Sequence, residues 1–232
     1  MRVDVIIPAL NEAESIGPVV RCIPRPPVRS VIVVDNGSTD GTAERAQQAG
    51  ALVVREPRRG YGRACLAGIA ALPTDTDVVV FLDGDGSDDP ACLSRLLDPI
   101  IRNQADLVVG SRLLGRTEPG ALTRVQKTGN QLAALWLRRR FGIGVTDLGP
   151  FRAIRRPALQ ALRMRDRGYG WTVEMQIKAA RRGLRYQEVP VPYRPRRSGK
   201  SKVSGTFCGS FGAAFKIIAY LAWYDWMRGI AR

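Results

Sequence analysis

The feature that most restricts the fold of this chain is the alternation of short apolar runs with helical patterns in its first half. Runs such as SVIVVD and DVVVFLD are rich in β-branched residues and too short for helices, which is typical of buried strands. Strands that alternate with helices form parallel sheets, because each helix returns the chain to the same edge. We therefore predict an α/β fold with a mainly parallel central sheet flanked by helices.

The predicted elements can be given as ranges. The strands cover 3–8, 30–35, 51–54, 77–83 and 105–109, and the helices between them cover 12–23, 40–49, 61–72 and 90–102. The second half adds helices over 121–140 and within 168–183, and a strand within 184–193. Ligands of open parallel sheets bind beyond the carboxyl ends of the strands. The residues that follow each predicted strand are therefore the first candidates for a site.

The composition points to an anionic partner. The chain has 36 Lys+Arg against 21 Asp+Glu, a formal net charge of +15, which suits nucleic acid, phosphorylated substrates or an acidic membrane surface. It has no histidine, which excludes histidine triads, histidine metal ligands and histidine general bases. Its four cysteines are scattered without a C-x-x-C pair, and the N-terminal MRVDVIIPALNE lacks a signal-peptide pattern. We therefore expect reduced thiols and a cytoplasmic protein.

The stretch FLDGDGSDDPACL concentrates four carboxylates directly behind an apolar run, in spite of the basic composition. Asp83 and Asp85 flank Gly84, and carboxylates at this spacing can approach one hard divalent cation. Such a cation holds diphosphate oxygens and neutralises a phosphate leaving group. The alternative is a solvated acidic turn, but its position after a buried strand favours a metal site.

Two other turns carry candidate ligand contacts. Asp35 ends the strand in VIVVDNGSTDGT and is predicted to accept hydrogen bonds from a base or ribose, whereas Asp40 is predicted only to cap a helix. The stretch RRGYGRACLAG, which contains Arg63, lacks the glycine spacing of a dinucleotide fingerprint. Its basic helix start is suited to a nucleotide phosphate, and equally to a simple loop-to-helix turn.

Taken in order, these stretches resemble glycosyltransferase family 2, and most closely its dolichyl/polyprenyl-phosphate mannosyltransferase-like branch. The likeness is carried by PALNEAESI, VVDNGSTDGT, RGYGRA, DGDGSDDP, VVGSR, TDLGPFRAIRR, GYGWTVEMQ and RRSGKSKVSGT. It implies a GT-A fold and transfer of a sugar from a UDP- or GDP-sugar, with inversion and a Mg²⁺ or Mn²⁺ ion. The implied acceptor is a polyprenyl phosphate or another lipid.

The resemblance also implies roles for individual positions. The nucleoside pocket would be lined by Pro8, Ala9, Asn11, Glu12 and Asp35. Asp83 and Asp85 would hold the metal, with Asp85 the more direct ligand, and Arg112 and Arg124 would face a donor or acceptor phosphate. A basic loop would close over the diphosphate with Arg197, Ser198, Lys200 and Lys202, unless it is simply a solvated loop.

The sequence departs from the family pattern at two places. Ser87 and Asp88 stand where the branch often has glutamine and histidine, which weakens a third protein ligand for the metal. Gly149-Pro150-Phe151 replaces the family's serine-glycine-phenylalanine. Both changes leave the acceptor open.

The acceptor decides whether a general base is needed. A sugar hydroxyl needs a base to remove its proton, whereas a phosphate with its second pKa near 6 is already an oxyanion. Glu174 is the first candidate base and Asp147 the second, although either could instead pair with a neighbouring arginine. The surplus of arginines favours a phosphate-bearing lipid, with a glycosyltransferase acting on a soluble hydroxyl acceptor as the alternative.

We predict a catalytic domain over 1–204 and an aromatic amphipathic helix in 205–232. That helix, over 206–228, would lie at the cytoplasmic membrane face with Trp223, Tyr224 and Trp226 at headgroup depth, or would pack on the domain or a second subunit. A nucleic-acid binder, a sugar nucleotidyltransferase and an inactive scaffold are the rival hypotheses. The acidic strand ends disfavour nucleic acid, and the sequence does not indicate an oligomeric state.

Overall fold

The structure is a computed structural model that describes residues 1–197. These residues form a seven-stranded sheet in the order β3-β2-β1-β4-β6-β5-β7. The strands are β1 (Val3–Ala9), β2 (Val28–Asp35), β3 (Leu52–Arg55), β4 (Val78–Phe81), β5 (Leu107–Ser111), β6 (Arg152–Arg155) and β7 (Tyr186–Pro190). The helices are α1 (Ala13–Cys22), α2 (Thr42–Gln48), α3 (Tyr61–Ala70), α4 (Leu93–Ile101), α5 (Arg124–Phe141), α6 (Arg156–Leu162) and α7 (Trp171–Arg181).

The sheet confirms the predicted α/β architecture. All of its pairings are parallel except those of β6, which runs antiparallel between β4 and β5. Each strand and helix predicted within residues 1–197 is present with shifted ends, and the helix predicted over 90–102 begins as a 3₁₀ turn at Pro90–Cys92. The sequence did not predict β6 and α6, because the RAIR segment of β6 is short and half charged.

The strands alternate their side chains between two apolar layers. Val5, Ile7 and Val33 point to the layer that α1, α2 and α4 cover, and Ile6 and Val34 point to the layer under α3, α6 and α7. A strand that is buried on both faces needs apolar residues at every position, which explains the continuous apolar runs in the first half of the sequence. A smaller cluster joins α5 to α7.

This topology brings four strand ends to one edge. The strands β2, β1 and β4 are neighbours and parallel, and β5 runs in the same direction one strand further on. The loops after them therefore project together, and a site forms where they meet.

Two predictions lie outside the described residues. The domain boundary at 204/205 and the C-terminal helix over 206–228 both fall beyond residue 197. Within residues 1–197, none of the helices combines the length and apolarity that a bilayer crossing needs.

Candidate active site

A cavity of about 640 Å³ opens at the carboxyl edge of the sheet. One wall comes from the loop after β1, from Asn36 after β2 and from the acidic turn after β4. The other comes from Arg112 after β5, from the first half of α5 and from the turn around Tyr169. The cavity therefore lies across the strand ends that the parallel topology gathers.

The acidic turn is built against the core. A Cβ on Gly84 would come within 3.2 Å of both Ile16 and Ile7, so the turn has little space for a larger residue there. Gly86 has φ of +77°, a left-handed conformation that glycine adopts without strain. Ser87 donates its backbone N–H to Asp85 Oδ1 at 2.9 Å. The glycines thus let the turn bend tightly while both carboxylates stay at the cavity wall.

Asp83 lies at the floor of the cavity with a single described hydrogen bond. The hydroxyl of Tyr61 donates to Asp83 Oδ1 at 3.1 Å, and burial followed by the charge of Asp83 raises the pKa of Tyr61 well above its ordinary value. Burial, and then repulsion from Asp85, raises the pKa of Asp83 to about 7. The site therefore disfavours two ionised carboxylates unless a cation joins them.

Asp88 is the least satisfied carboxylate of the turn. Its side chain is only 4% exposed, and neither carboxylate oxygen has a hydrogen-bond partner among the described residues. Burial, with Asp83 and Asp85 adding repulsion, raises the pKa of Asp88 well above its ordinary value. A buried carboxylate without hydrogen-bond partners is costly, so this position favours an added positive group.

Two arginines provide positive charge at the cavity, near the acidic turn. Arg196 Nη2 lies 2.7 Å from Glu12 Oε1 and 3.1 Å from Asp85 Oδ2, so one nitrogen bridges both carboxylates. Arg112 forms a bidentate pair with Asp147, through Nε to Oδ2 at 2.8 Å and Nη2 to Oδ1 at 2.7 Å. Burial alone would lower the pKa of Arg112, but the Asp147 carboxylate outweighs it and raises that pKa.

The acidic turn fits a divalent cation. Its hard oxygen donors, the raised pKa of Asp83 and the orphaned oxygens of Asp88 all favour added positive charge. The described residues contain no group of three carboxylate, thiol or imidazole ligands close enough to hold a metal alone. A cation here would therefore be held by Asp85 and Asp83 together with oxygens of a bound diphosphate, as Mg²⁺ commonly is.

The structure separates the predicted site residues into three groups. The cavity wall contains Pro8, Ala9, Asn11, Glu12, Asp83, Gly84, Asp85 and Arg112. Outside the wall lie Asp35, Arg63, Arg124, Asp147, Glu174 and Arg197. Ser198, Lys200 and Lys202 lie outside the described residues.

Asp35 stabilises a turn. Its Oδ1 accepts the backbone N–H of Ser38 at 3.1 Å, and the neighbouring Asn36 lines the cavity instead. Asn36 donates to the carbonyls of Glu56 and Arg58 and accepts from Gly60 N at 2.7 Å. The Asn36 side-chain amide therefore connects the loop after β2 to the segment that precedes α3. The position of Asn36 after Asp35 in the sequence did not indicate this role.

Two backbone N–H groups at the start of α3 are engaged by carbonyls of a distant loop. Gly62 N donates to the carbonyl of Gly168 at 3.1 Å, and Arg63 N donates to the carbonyl of Arg167 at 3.2 Å. A Cβ on Gly62 would come within 2.2 Å of the Asp166 carbonyl, so glycine permits this close approach. The engaged N–H groups of Gly62 and Arg63 favour a simple loop-to-helix turn, the alternative that the sequence left open.

Both candidate bases are engaged by other groups. Glu174 is 1% exposed, accepts the backbone N–H groups of Arg165 and Asp166, and pairs with Lys178 at 2.6 Å. Asp147 is fully buried against Arg112. The geometry therefore does not support a general-base role for either residue. Asp147 pairs with an arginine, as the alternative predicted, whereas Glu174 pairs with a lysine.

The basic arm differs from its prediction by one residue. Arg197 donates its backbone N–H to the carbonyl of Asp85 at 3.0 Å, whereas the Arg196 side chain faces the cavity. Arg124 is exposed at the start of α5, and the following Val125 and Gln126 line the cavity. The sequence located both segments but not the residue that points inward.

A family model described as glycosyl transferase family 2 matches residues 4–163. The chain belongs to this family. An uncharacterised glycosyltransferase of Mycobacterium tuberculosis is 42% identical over 210 residues, which cover 90% of this chain and 92% of that one. The undecaprenyl-phosphate mannosyltransferase of Micrococcus luteus is 35% identical over 221 residues, which cover 90% of both chains.

Similarity to solved structures confirms the fold. The crystal structure of glucosyl-3-phosphoglycerate synthase from Mycobacterium tuberculosis, in complex with Mn²⁺, UDP and phosphoglyceric acid, superposes with a TM-score of 0.77. It is 27% identical, and the match covers 94% of this chain and 76% of that one. This family 2 chain is therefore a glycosyltransferase with the GT-A fold.

Proposed function

We propose that the protein transfers a sugar, with inversion, from a UDP- or GDP-sugar to a polyprenyl phosphate, with Mg²⁺ or Mn²⁺ bound at Asp85 and Asp83. The observation that carries the choice of acceptor is the engagement of both candidate bases, Asp147 by Arg112 and Glu174 by backbone N–H groups and Lys178. An acceptor that arrives as an oxyanion needs no base.

The donor side of the proposal rests on the cavity wall beside the acidic turn. The loop Pro8–Glu12 and Asn36 face the same space as Asp83 and Asp85, so a nucleoside against that loop would bring its diphosphate to the turn. A divalent cation, when bound, would neutralise charge developing on the departing diphosphate. Arg196 lies at the same turn and can donate to diphosphate oxygens.

The acceptor side rests on Arg112. Asp147 takes its Nε and Nη2, and Tyr193 lies under the guanidinium with 4.9 Å between Cζ and the ring centroid. The third nitrogen, Nη1, makes no hydrogen bond with any described residue, although Arg112 lines the cavity. An arginine held rigidly on one side and open on the other suits a phosphate oxygen, since its orientation is fixed before the acceptor binds.

A hydroxyl acceptor that carries its own phosphate is the second candidate. It is favoured by the solved neighbour, whose complex contains phosphoglyceric acid. Such an acceptor would also use Arg112 but would need a base for its hydroxyl proton.

The test is a transfer assay with the full chain, Mn²⁺, and either UDP- or GDP-sugars. Polyprenyl phosphate in detergent and phosphoglyceric acid serve as alternative acceptors, with products identified by mass spectrometry. We expect a glycosyl phosphoprenol from the lipid acceptor and none from phosphoglyceric acid. Product from phosphoglyceric acid alone would replace the first proposal with the second candidate.

Asp85→Asn is the matched variant for the metal assignment. We expect transfer to fall on the order of a hundredfold or more, because a bound cation contributes several kcal/mol of charge stabilisation. Asp89→Asn is the control, since Asp89 lies four residues away and caps Ala91 N while pairing with Arg194. Near-normal turnover by Asp85→Asn would refute the metal assignment.

A further inference from the structure

Arg196 pairs with one carboxylate oxygen of Asp85 and one of Glu12. Asp85 Oδ1 accepts Ser87 N at 2.9 Å and Glu12 Oε2 accepts the Ser15 hydroxyl at 3.0 Å. Their remaining oxygens, Asp85 Oδ2 and Glu12 Oε1, both contact Arg196 Nη2. A cation that binds Asp85 must therefore compete with this guanidinium for the same oxygen.

The backbone around Arg196 holds it in place. Arg194 N donates to the carbonyl of Ser87, and Arg197 N donates to the carbonyl of Asp85, each at 3.0 Å. These two bonds align the arm over 194–197 with the acidic turn over 85–87 and present Arg196 to the carboxylates. The guanidinium is therefore a positioned cation rather than one of many solvated surface charges.

The guanidinium is nevertheless incompletely satisfied. Arg196 Nε is buried and has no hydrogen-bond acceptor among the described residues, although its side chain lies at the cavity wall. A donor that lacks an acceptor beside a cavity is suited to an anionic oxygen of a ligand. The same side chain thus has a partner in the donor-free protein and an open position for a phosphate oxygen.

We infer that Arg196 is the resident counter-ion of the cation site, and that it moves from Asp85 and Glu12 to the diphosphate when cation and donor bind together. The inference rests on the proposed function and deepens it. A divalent ion alone would meet a fixed positive charge at Asp85, whereas the diphosphate supplies negative charge for both the ion and Arg196. The donor-free protein should therefore bind the ion weakly, and nucleoside diphosphate should strengthen that binding.

The experiment measures Mn²⁺ binding to the full chain by the EPR signal of free Mn²⁺, without a sugar donor and with or without UDP. We expect Arg196→Gln to bind Mn²⁺ alone about tenfold more tightly than wild type, within the range of couplings between sites in proteins. Addition of UDP should tighten Mn²⁺ binding in wild type and do so much less in Arg196→Gln. Arg196→Lys, which keeps the charge, should bind Mn²⁺ alone as weakly as wild type.

Arg194→Gln is the matched control, because it removes the same charge two residues away. Arg194 contacts Asp89 and Glu118 rather than Asp85. Equal Mn²⁺ affinities for wild type, Arg196→Gln and Arg194→Gln, with UDP still tightening binding, would overturn this inference and leave the proposed function standing. Absence of Mn²⁺ binding in every protein even with UDP would overturn both. Circular dichroism of each variant verifies that the fold is kept.

Discussion

At the amino end of the sheet Asp4 is buried with a full set of partners, whereas at the carboxyl end the Asp88 carboxylate is buried with no hydrogen-bond partner among residues 1–197. Asp4 accepts from Arg29 Nε and Nη2, from the Ser30 hydroxyl at 2.6 Å and from the Thr76 hydroxyl at 2.7 Å. Burial alone would raise the pKa of Asp4, but these donors outweigh it and lower that pKa.

The difference shows what each end of the sheet is for. The charge of Asp4 is stabilised by hydrogen bonds from Arg29, Ser30 and Thr76, so no bound ligand is needed for it. Asp83 and Asp88 have raised pKa values because burial and mutual repulsion oppose their charge. The charge of Asp4 at the amino end is therefore paired, whereas the carboxylates at the carboxyl end favour added positive charge.

The largest change in stability is expected for Asp4→Asn. The amide cannot hold the Arg29 guanidinium as a carboxylate does, so the free energy of unfolding should fall by about 3 kcal/mol. Because the pKa of Asp4 is lowered in the folded state, this contribution is present above about pH 4 and disappears as the pH falls further. Urea unfolding at pH 7 and pH 3 measures both effects.

Asp77→Asn is the control at the same end, since Asp77 is a more exposed carboxylate that accepts Arg2 N. Its midpoint of unfolding should change much less. Equal losses for the two variants would remove the distinction between a completed buried pair and a surface pair.

A smaller loss is expected for Glu174→Gln. Its carboxylate accepts two backbone N–H groups and pairs with Lys178, so loss of the charge should cost about 2 kcal/mol. Sugar transfer at saturating substrate should keep its pH profile, because Glu174 holds the loop at 165–166 and does not act as a base. A drop of about a hundredfold or more in transfer, without a matching loss of stability, would restore the general-base hypothesis.

A change of opposite sign is expected for Asp83→Asn in EDTA. The folded wild type keeps the Asp83 proton until about pH 7, whereas an ordinary aspartate loses it near 3.8. Stability of the wild type should therefore fall as the pH rises between these values. Asp83→Asn cannot ionise, so it should be more stable than wild type at pH 8 and equally stable at pH 4, as thermal unfolding will show. A less stable variant at pH 8 would mean that the carboxyl end is already complete without a cation.

Local pattern was sufficient for much of the fold. The β-branched runs at 30–35 and 77–83 correctly predict β2 and β4, because strands buried on both faces need continuous apolar sequence. The strand β6 was missed, since RAIR has no such pattern and is a strand through its neighbours β4 and β5. A local sequence pattern does not predict pairing between segments that are distant along the chain.

The candidate site shows the same division. Asp83 and Asp85 were placed after a buried strand, and the structure has both at the cavity wall. Asn36, Tyr61 and Arg196 were missed in favour of Asp35, Arg63 and Arg197. Each of these pairs lies within two residues along the chain, and which member faces the cavity depends on the backbone of a turn or arm that is held by distant carbonyls.

The sequence by itself determined the family, the parallel sheet and the positions at which charge collects, because these depend on residue type and on spacing along the chain. Only the tertiary structure decided which charges are already paired. The two candidate bases illustrate this. Glu174 is engaged by the backbone N–H groups of Arg165 and Asp166 and by Lys178, and Asp147 is paired with Arg112. Pairing of charges is a property of distance and burial, and both are set by packing rather than by order along the chain.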